Sequence, residues 1–167
     1  MIEFGEVEYR EHFVEVPLVW GADDPRTITA FARELVREGR QDAPHLVWFQ
    51  GGPGNRAQRP ESISGWLDAA LDDHRVVLLD QRGTGRSTPA DAQSLAGLSP
   101  AEQAEYLRHF RADSIVADAE AVRDALGVNT WWALGQSFGG FILTHYLSAA
   151  PASLAGVMIA AGLPPLV

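Results

Sequence analysis

The sequence has 167 residues, of which 46% are hydrophobic and 21% charged, as is typical of one soluble globular domain. Its net charge of −9 repels phosphate backbones and anionic lipid headgroups, which argues against nucleic-acid and membrane partners. Cysteine is absent, which excludes disulfides, thiolate metal sites and a cysteine nucleophile. With no signal-peptide pattern and no apolar stretch long enough to span a bilayer, we expect a cytoplasmic protein.

The amino-terminal segment predicts strands. Residues 4–20 are rich in Val, Phe and Tyr and partly alternate between apolar and polar side chains, which predicts one or two antiparallel strands. The Gly-Ala-Asp-Asp-Pro segment at 21–25 is typical of a turn. Residues 27–36 fit a short helix and a strand about equally well by their own pattern.

Three continuous apolar runs follow, at residues 45–50, 75–80 and 130–135, each leading into a glycine-containing loop. Unbroken apolar runs predict strands that are buried on both faces of a parallel sheet. Helices are predicted from Asp113 as the N-cap to Gly127 at the C-terminal end, and over residues 139–150; a further buried strand is predicted over residues 154–160. This alternation predicts an α/β fold, in which ligands bind at the carboxyl ends of the strands.

The pentapeptide Gly135-Gln136-Ser137-Phe138-Gly139 matches the G-x-S-x-G nucleophile elbow. A nucleophilic serine needs a sharp strand-to-helix turn, with small neighbours that let chains approach closely and helix amides that face developing negative charge. The pentapeptide also arises by chance in glycine-rich chains. Here, however, an apolar run precedes it and an apolar helix pattern follows it, which favours Ser137 as a nucleophile.

A second loop, Gln50-Gly51-Gly52-Pro53-Gly54, follows the run at 45–50. Glycines let backbone N–H groups point inward where side chains would block them. In α/β-hydrolases such a loop donates one oxyanion hydrogen bond and the residue after the serine donates the other. The predicted donors are therefore the amides of Gly52 and Phe138, with Gly51, Pro53 and Gly54 as substrate-binding neighbours. The alternative is a tight turn that merely requires glycine.

The third loop, Asp80-Gln81-Arg82-Gly83-Thr84-Gly85-Arg86-Ser87, contains Gly-x-Gly but lacks the third glycine of a dinucleotide site. Two interpretations remain. Arg82 or Arg86 braces neighbouring loops through charge-assisted hydrogen bonds, or one of them contacts substrate. The first is favoured.

Together and in this order, the three loops resemble the prolyl aminopeptidase (proline iminopeptidase) family of α/β-hydrolases, over about residues 47–163. Gln50, where many members have His, and Arg59-Pro60 resemble the longer subgroup, which has a strand at the position of residues 27–36. The resemblance implies a mostly parallel sheet with antiparallel amino-terminal strands. It also implies release of N-terminal proline from peptides without a metal or organic cofactor, and a specificity-determining helical cap after the strand at 154–160.

The catalytic base and acid are missing from the sequence. In α/β-hydrolases an Asp or Glu and then a His follow the serine, yet no Asp or Glu follows Ser137 and the one later histidine, His145, lies on the same helix. The remaining histidines lie near strand starts or in the amphipathic stretch 101–111: His12, His45, His74 and His109. We therefore expect residues 1–167 to be the incomplete amino-terminal part of a hydrolase core, inactive alone, with cap, base and acid supplied by a missing carboxyl-terminal portion or a second chain.

Two alternatives to the aminopeptidase stay open. The same apparatus serves an esterase or amidase, because the elbow does not set specificity. A catalytically inert binding or assembly module also retains the fold without a base.

Overall fold

The computed structural model describes residues 2–4 and 6–162, which form one seven-stranded sheet with helices on both faces. The strands are β1 (Ile2–Phe4), β2 (Val7–Pro17), β3 (Thr27–Arg37), β4 (His45–Phe49), β5 (Arg75–Asp80), β6 (Trp131–Gln136) and β7 (Leu154–Ala160). The helices are α1 (Trp66–Asp73), α2 (Pro100–Leu107), α3 (Ala112–Ala125) and α4 (Phe138–Ala149).

The strand order is β1-β2-β3-β5-β4-β6-β7. Strands β1, β2, β3 and β5 pair antiparallel in succession, whereas β5, β4, β6 and β7 pair parallel. The predicted α/β class, with antiparallel strands at the amino-terminal side, is confirmed. The ambiguous segment 27–36 is a strand, because it pairs with β2 along its whole length and with β5 on its other side.

The sheet explains why β4 and β5 are continuously apolar. On β4, Val47 and Phe49 pack into a core cluster with α3 and α4, while Leu46 and Trp48 pack into a second cluster with α1. Both faces of these central strands are therefore removed from water, so their interior positions are apolar and polar side chains stand only at the strand ends. Strand β7 differs from the prediction of a buried strand. It has one neighbour in the described sheet, and most of its residues are exposed or half-buried.

The helix boundaries depart from the predictions at their amino-terminal ends. Helix α3 has Arg111 as its N-cap, so Asp113 lies in the first turn and not at the cap, where its charge still favours the positive end of the helix dipole. Gly127 follows the last turn with a φ of +68°, as predicted for a C-terminal glycine. Helix α4 begins at Phe138, directly after Ser137.

Helices α1 and α2 were not predicted. Helix α2 carries a capping box between Ser99 and Glu102 with Pro100 at its start, a signal that was available in the sequence. In the described part of the chain, no helix has the length and apolarity needed to cross a membrane.

Candidate active site

Ser137 occupies the turn between β6 and α4 with φ 55° and ψ −115°, a conformation that residues with a side chain rarely adopt. Two hydrogen bonds hold it there. Its N–H donates to the carbonyl oxygen of Ala160 on β7 at 2.9 Å, and its own carbonyl accepts from the N–H of Phe141 at 3.1 Å. A strand on one side and the first turn of α4 on the other therefore fix the backbone that carries the hydroxyl.

Glycines around Ser137 allow main chains to meet without side chains between them. A Cβ on Gly139 would lie 2.0 Å from the carbonyl oxygen of Phe49, and a Cβ on Gly135 would lie 2.5 Å from the carbonyl group of Gly139. Both distances are far below van der Waals contact. The start of α4 therefore packs directly on the end of β4 only because these positions are glycine.

The Gly51–Gly54 loop lies against the elbow. A Cβ on Gly51 would be 2.9 Å from the carbonyl oxygen of Gln136 and 3.2 Å from the Cβ of Ser137. Gly52 and Gly54 have φ values of +145° and +89°, and the Gly52–Pro53 peptide bond is cis. The loop thus follows a path that L-residues with side chains disfavour, and it passes directly beside the serine.

A cavity of about 390 Å³ opens between this loop and α4. Its lining is mostly apolar and includes the serine: Gly52, Pro53, Ser137, Phe138, Phe141 and Ala161. The predicted residues Gly52, Pro53, Ser137 and Phe138 are thus brought together. Gly51 is buried beside Ser137, and Gly54 is exposed and outside the lining.

Phe141 and Ala161 were missed at the sequence level. Phe141 lies three residues after Phe138 and therefore shares its helix face, and the two rings stack with centroids 5.9 Å apart. That spacing was visible in the sequence. Ala161 follows β7, and only the pairing of β7 beside β6 brings it to the cavity.

The amide of Phe138 is suited to bind negative charge. It belongs to the first turn of α4, whose N–H groups have no partner within the helix and carry the positive end of the helix dipole. The loop that contains Gly52 faces the same cavity. Negative charge in this cavity would therefore be favoured by the positive end of the α4 dipole in a largely apolar surrounding.

No His, Asp or Glu of the described residues lines the cavity beside Ser137. His145 is exposed, with its ring 5.7 Å from that of Phe141. The other histidines are engaged elsewhere: His12 and His45 with Glu34, His74 with Trp132, and His109 with Glu105. His12 lies in the middle of β2 and not near its start, because β2 begins at Val7. In the described chain, Ser137 thus has no histidine or carboxylate beside it in the cavity.

The third loop has a bracing role, which confirms the favoured interpretation for Arg82. Its buried guanidinium donates to both carboxylate oxygens of Asp118 at 2.7 and 2.6 Å. It also donates to the backbone carbonyls of Leu18, His109 and Pro17. Arg86 pairs with Glu11 at the surface and lies over the rings of Phe13 and Phe31.

The α/β-hydrolase fold model matches residues 44–167. The chain therefore belongs to the α/β-hydrolase fold family. Solved structures agree on the fold, including epoxide hydrolases from hot-environment metagenomes, which match with a TM-score of 0.61 at 21% identity over 96% of this chain and 44% of theirs.

Within that family the curated relatives are proline iminopeptidases, as the three loop motifs predicted. The chain is 52% identical to the proline iminopeptidase of Aeromonas sobria, over 93% of this chain and 37% of that protein. It is 39% identical to one from Aspergillus aculeatus, over 98% of this chain and 39% of the relative. The structure of a proline iminopeptidase-related protein from Thermus thermophilus matches with a TM-score of 0.60 at 25% identity, over 92% of this chain and 45% of that one. The chain thus spans less than half the length of these relatives.

Proposed function

We propose that Ser137 is the nucleophile of a serine hydrolase that releases N-terminal proline from peptides through an acyl-enzyme. The observation that carries this proposal is the left-handed turn at Ser137, held between β6 and α4 and flanked by the Gly51–Gly54 loop. The relatives that are named proline iminopeptidases support the choice of substrate.

The chemistry is acyl transfer in two steps. The Ser137 hydroxyl oxygen bonds to the carbonyl carbon of the N-terminal proline, its proton passes to a base, and the amides of Gly52 and Phe138 stabilise the oxyanion. Collapse of this intermediate breaks the peptide C–N bond, and the departing amine takes the proton from the base. Water then attacks the ester in the same way and releases proline. Neither step requires a metal or an organic cofactor.

The base and its orienting carboxylate are assigned to residues outside this sequence. No histidine of the described chain lies in the cavity, and the Ser-His-Asp triad of serine hydrolases requires one next to the serine. In this proposal residues 1–167 form the amino-terminal part of the hydrolase core, the remainder or a second chain completes the site, and the enzyme acts in the cytoplasm.

Turnover of proline-β-naphthylamide tests the proposal. The longest natural polypeptide that contains this sequence should hydrolyse it, and Ser137→Ala should lower kcat by about 10⁴-fold or more, since loss of a triad nucleophile removes nearly all of the covalent pathway. Residues 1–167 alone should show no turnover. Robust hydrolysis by residues 1–167, or an active Ser137→Ala variant, would contradict the assignment.

A second candidate function is an esterase or amidase with other acyl substrates. It is favoured by the cavity lining, which among the described residues is apolar apart from Ser137 and offers no charge to receive a free amino group. Short-chain nitrophenyl esters compared with proline arylamides separate the two functions by their kcat/KM values. A folded full-length protein that turned over neither would instead indicate an inert binding module.

A further inference from the structure

Two consecutive buried polar side chains, Asp80 and Gln81, lie at the carboxyl end of β5. They are 2% and 3% exposed, and buried polar groups are tolerated only where hydrogen bonds replace their lost contacts with water. Neither residue lines the cavity beside Ser137. Their hydrogen-bond partners therefore indicate what they do.

Both side chains bind the loop that carries Gly52. The side-chain amide of Gln81 donates to the backbone carbonyl of Gln50 at 2.8 Å, immediately before the loop. One carboxylate oxygen of Asp80 accepts from the backbone N–H of Ala57 at 2.9 Å, just after the loop. The segment between residues 50 and 57 is thus fastened at both ends from one point on the neighbouring strand.

The two side chains are themselves held in place. The second carboxylate oxygen of Asp80 accepts from the N–H of Arg86 at 2.8 Å. Gly85 approaches so closely that a Cβ there would lie 2.0 Å from that oxygen. The backbone carbonyl of Gln81 accepts from the N–H and the hydroxyl of Thr84 at 3.0 and 2.8 Å. The turn that follows β5 therefore forms a rigid support for both.

We propose that Gln81, with Asp80, is a positioning residue for the oxyanion-binding loop. A peptide unit is planar, so a hydrogen bond to the carbonyl of Gln50 fixes the plane of the Gln50–Gly51 peptide, from which the chain continues to Gly52. The indole N–H of Trp48 donates to the side-chain oxygen of the same Gln50 at 3.1 Å, so both the backbone and the side chain of Gln50 are held. This inference rests on the proposed function, because it assigns the Gly52 amide to the oxyanion.

A positioning role of this kind affects the transition state more than the bound substrate. The oxyanion exists only after the serine attacks, so misplacing its donor lowers kcat and leaves KM nearly unchanged. A side chain that merely supports folding would instead reduce the amount of active enzyme without changing turnover per active site.

The test variant is Gln81→Met in the longest natural polypeptide that contains this sequence. Methionine keeps the length of the side chain and removes the donor. The matched control is Gln93→Met, at an exposed position in the loop before α2. Reactive serine is titrated to completion with a fluorophosphonate, and kcat on proline-β-naphthylamide is expressed per titrated site. We expect Gln81→Met to lower kcat at least tenfold with KM changed less than twofold, and Gln93→Met to resemble the wild type.

Inhibition supplies a second readout that a structural role would not move. Prolinal adds to the serine and creates an oxyanion, whereas proline does not. Gln81→Met should raise the inhibition constant of prolinal by about the same factor as it lowers kcat. The inhibition constant of proline should stay unchanged. Unchanged kcat per titrated site, or equal weakening of both inhibitors, would overturn the proposal.

Hydrogen exchange separates this inference from the proposed function. Peptides covering residues 50–57 should exchange faster in Gln81→Met than in Gln93→Met, whatever the substrate. A wild-type protein without turnover would refute the aminopeptidase assignment and the catalytic part of this inference together. Hydrogen exchange would then still test whether Gln81 holds the loop in place. Equal exchange in the two variants would overturn the fastening itself.

Discussion

Ser137 holds its position at the cost of backbone strain. A φ of +55° with a ψ of −115° is readily adopted by glycine and unfavourable for a residue with a Cβ. The bonds from Ser137 to Ala160 and from Phe141 to Ser137 hold this conformation against its own preference. A serine at this position is therefore better explained by chemistry than by folding.

Two replacements of Ser137 measure its backbone strain independently of its hydroxyl group. We expect Ser137→Gly to be more stable than Ser137→Ala by about 1 kcal/mol, because glycine relieves the unfavourable φ whereas alanine keeps it. Thermal or urea unfolding of the two variants measures the difference. Both lack the hydroxyl, so lost hydroxyl contacts cancel in the comparison. An alanine variant as stable as the glycine variant would contradict the claim that the backbone at residue 137 is strained.

At the scale of elements, one buried carboxylate joins the strands of the antiparallel half of the sheet to β4 and β5. Glu34 on β3 is 1% exposed, and it contacts Arg75 at 2.8 Å, His45 at 3.1 Å and His12 at 3.3 Å. Burial by itself raises the pKa of Glu34, but the hydrogen bonds from His12 and His45 and the charge and hydrogen bond of Arg75 together outweigh it and lower that pKa below 4.5.

The lowered pKa of Glu34 makes its contribution to stability dependent on pH. Because folding favours the ionised form, the contribution is complete above the unfolded-state pKa of about 4.5 and is lost as the pH falls below it. We expect Glu34→Gln to lower the unfolding free energy at pH 7 by about 2 kcal/mol. The difference from the wild type should shrink below pH 4.5 in melting curves recorded from pH 7 to 3. Glu61→Gln, at an exposed site, should change little, and a constant Glu34 difference down to pH 3 would refute the pKa shift.

The contact between α4 and β4 tolerates no added methyl group. In Gly139→Ala the new Cβ would meet the Phe49 carbonyl oxygen, a backbone atom that cannot turn aside. We expect about 3 kcal/mol of destabilisation, measured by urea unfolding. Gly97→Ala is the control, since no atom lies within 4 Å of a Cβ at that position. Equal stability of the two variants would show that the helix shifts freely.

The strands and helices differ in how well their own residues predicted them. Strands β4 and β5 were predictable because burial on both faces makes their interior positions apolar, and α4 because the elbow motif marks its start. The strand at 27–36 was not predictable from its own pattern, because one of its two pairing partners, β5, is distant in sequence. In the site, Phe141 was missed although its helix spacing from Phe138 was visible in the sequence. The contact between Gln81 and Gln50 depends on β5 lying beside β4, which the residues alone do not reveal.

At the scale of the whole molecule, the sheet is protected unequally. Its central strands, β5 and β4, are covered on both faces. The segment 50–57, which Asp80 and Gln81 fasten, begins at the end of β4. Toward β7 the apolar side chains are more exposed to solvent: Trp132 is 37% exposed, and Met158 and Ile159 are 41% and 43% exposed. Local opening begins where few apolar contacts hold the backbone, so in residues 1–167 taken alone the β7 side is expected to fluctuate first.

Ser137 is attached to that less protected side. The carbonyl that holds the Ser137 N–H belongs to Ala160, the last residue of β7, whereas Gly52 is anchored to the rigid centre. Ser137 and Gly52 are therefore held by parts of the sheet that differ in how well other residues cover them. In residues 1–167 taken alone, a loosened end of β7 would therefore move the Ser137 hydroxyl while Gly52 stays in place.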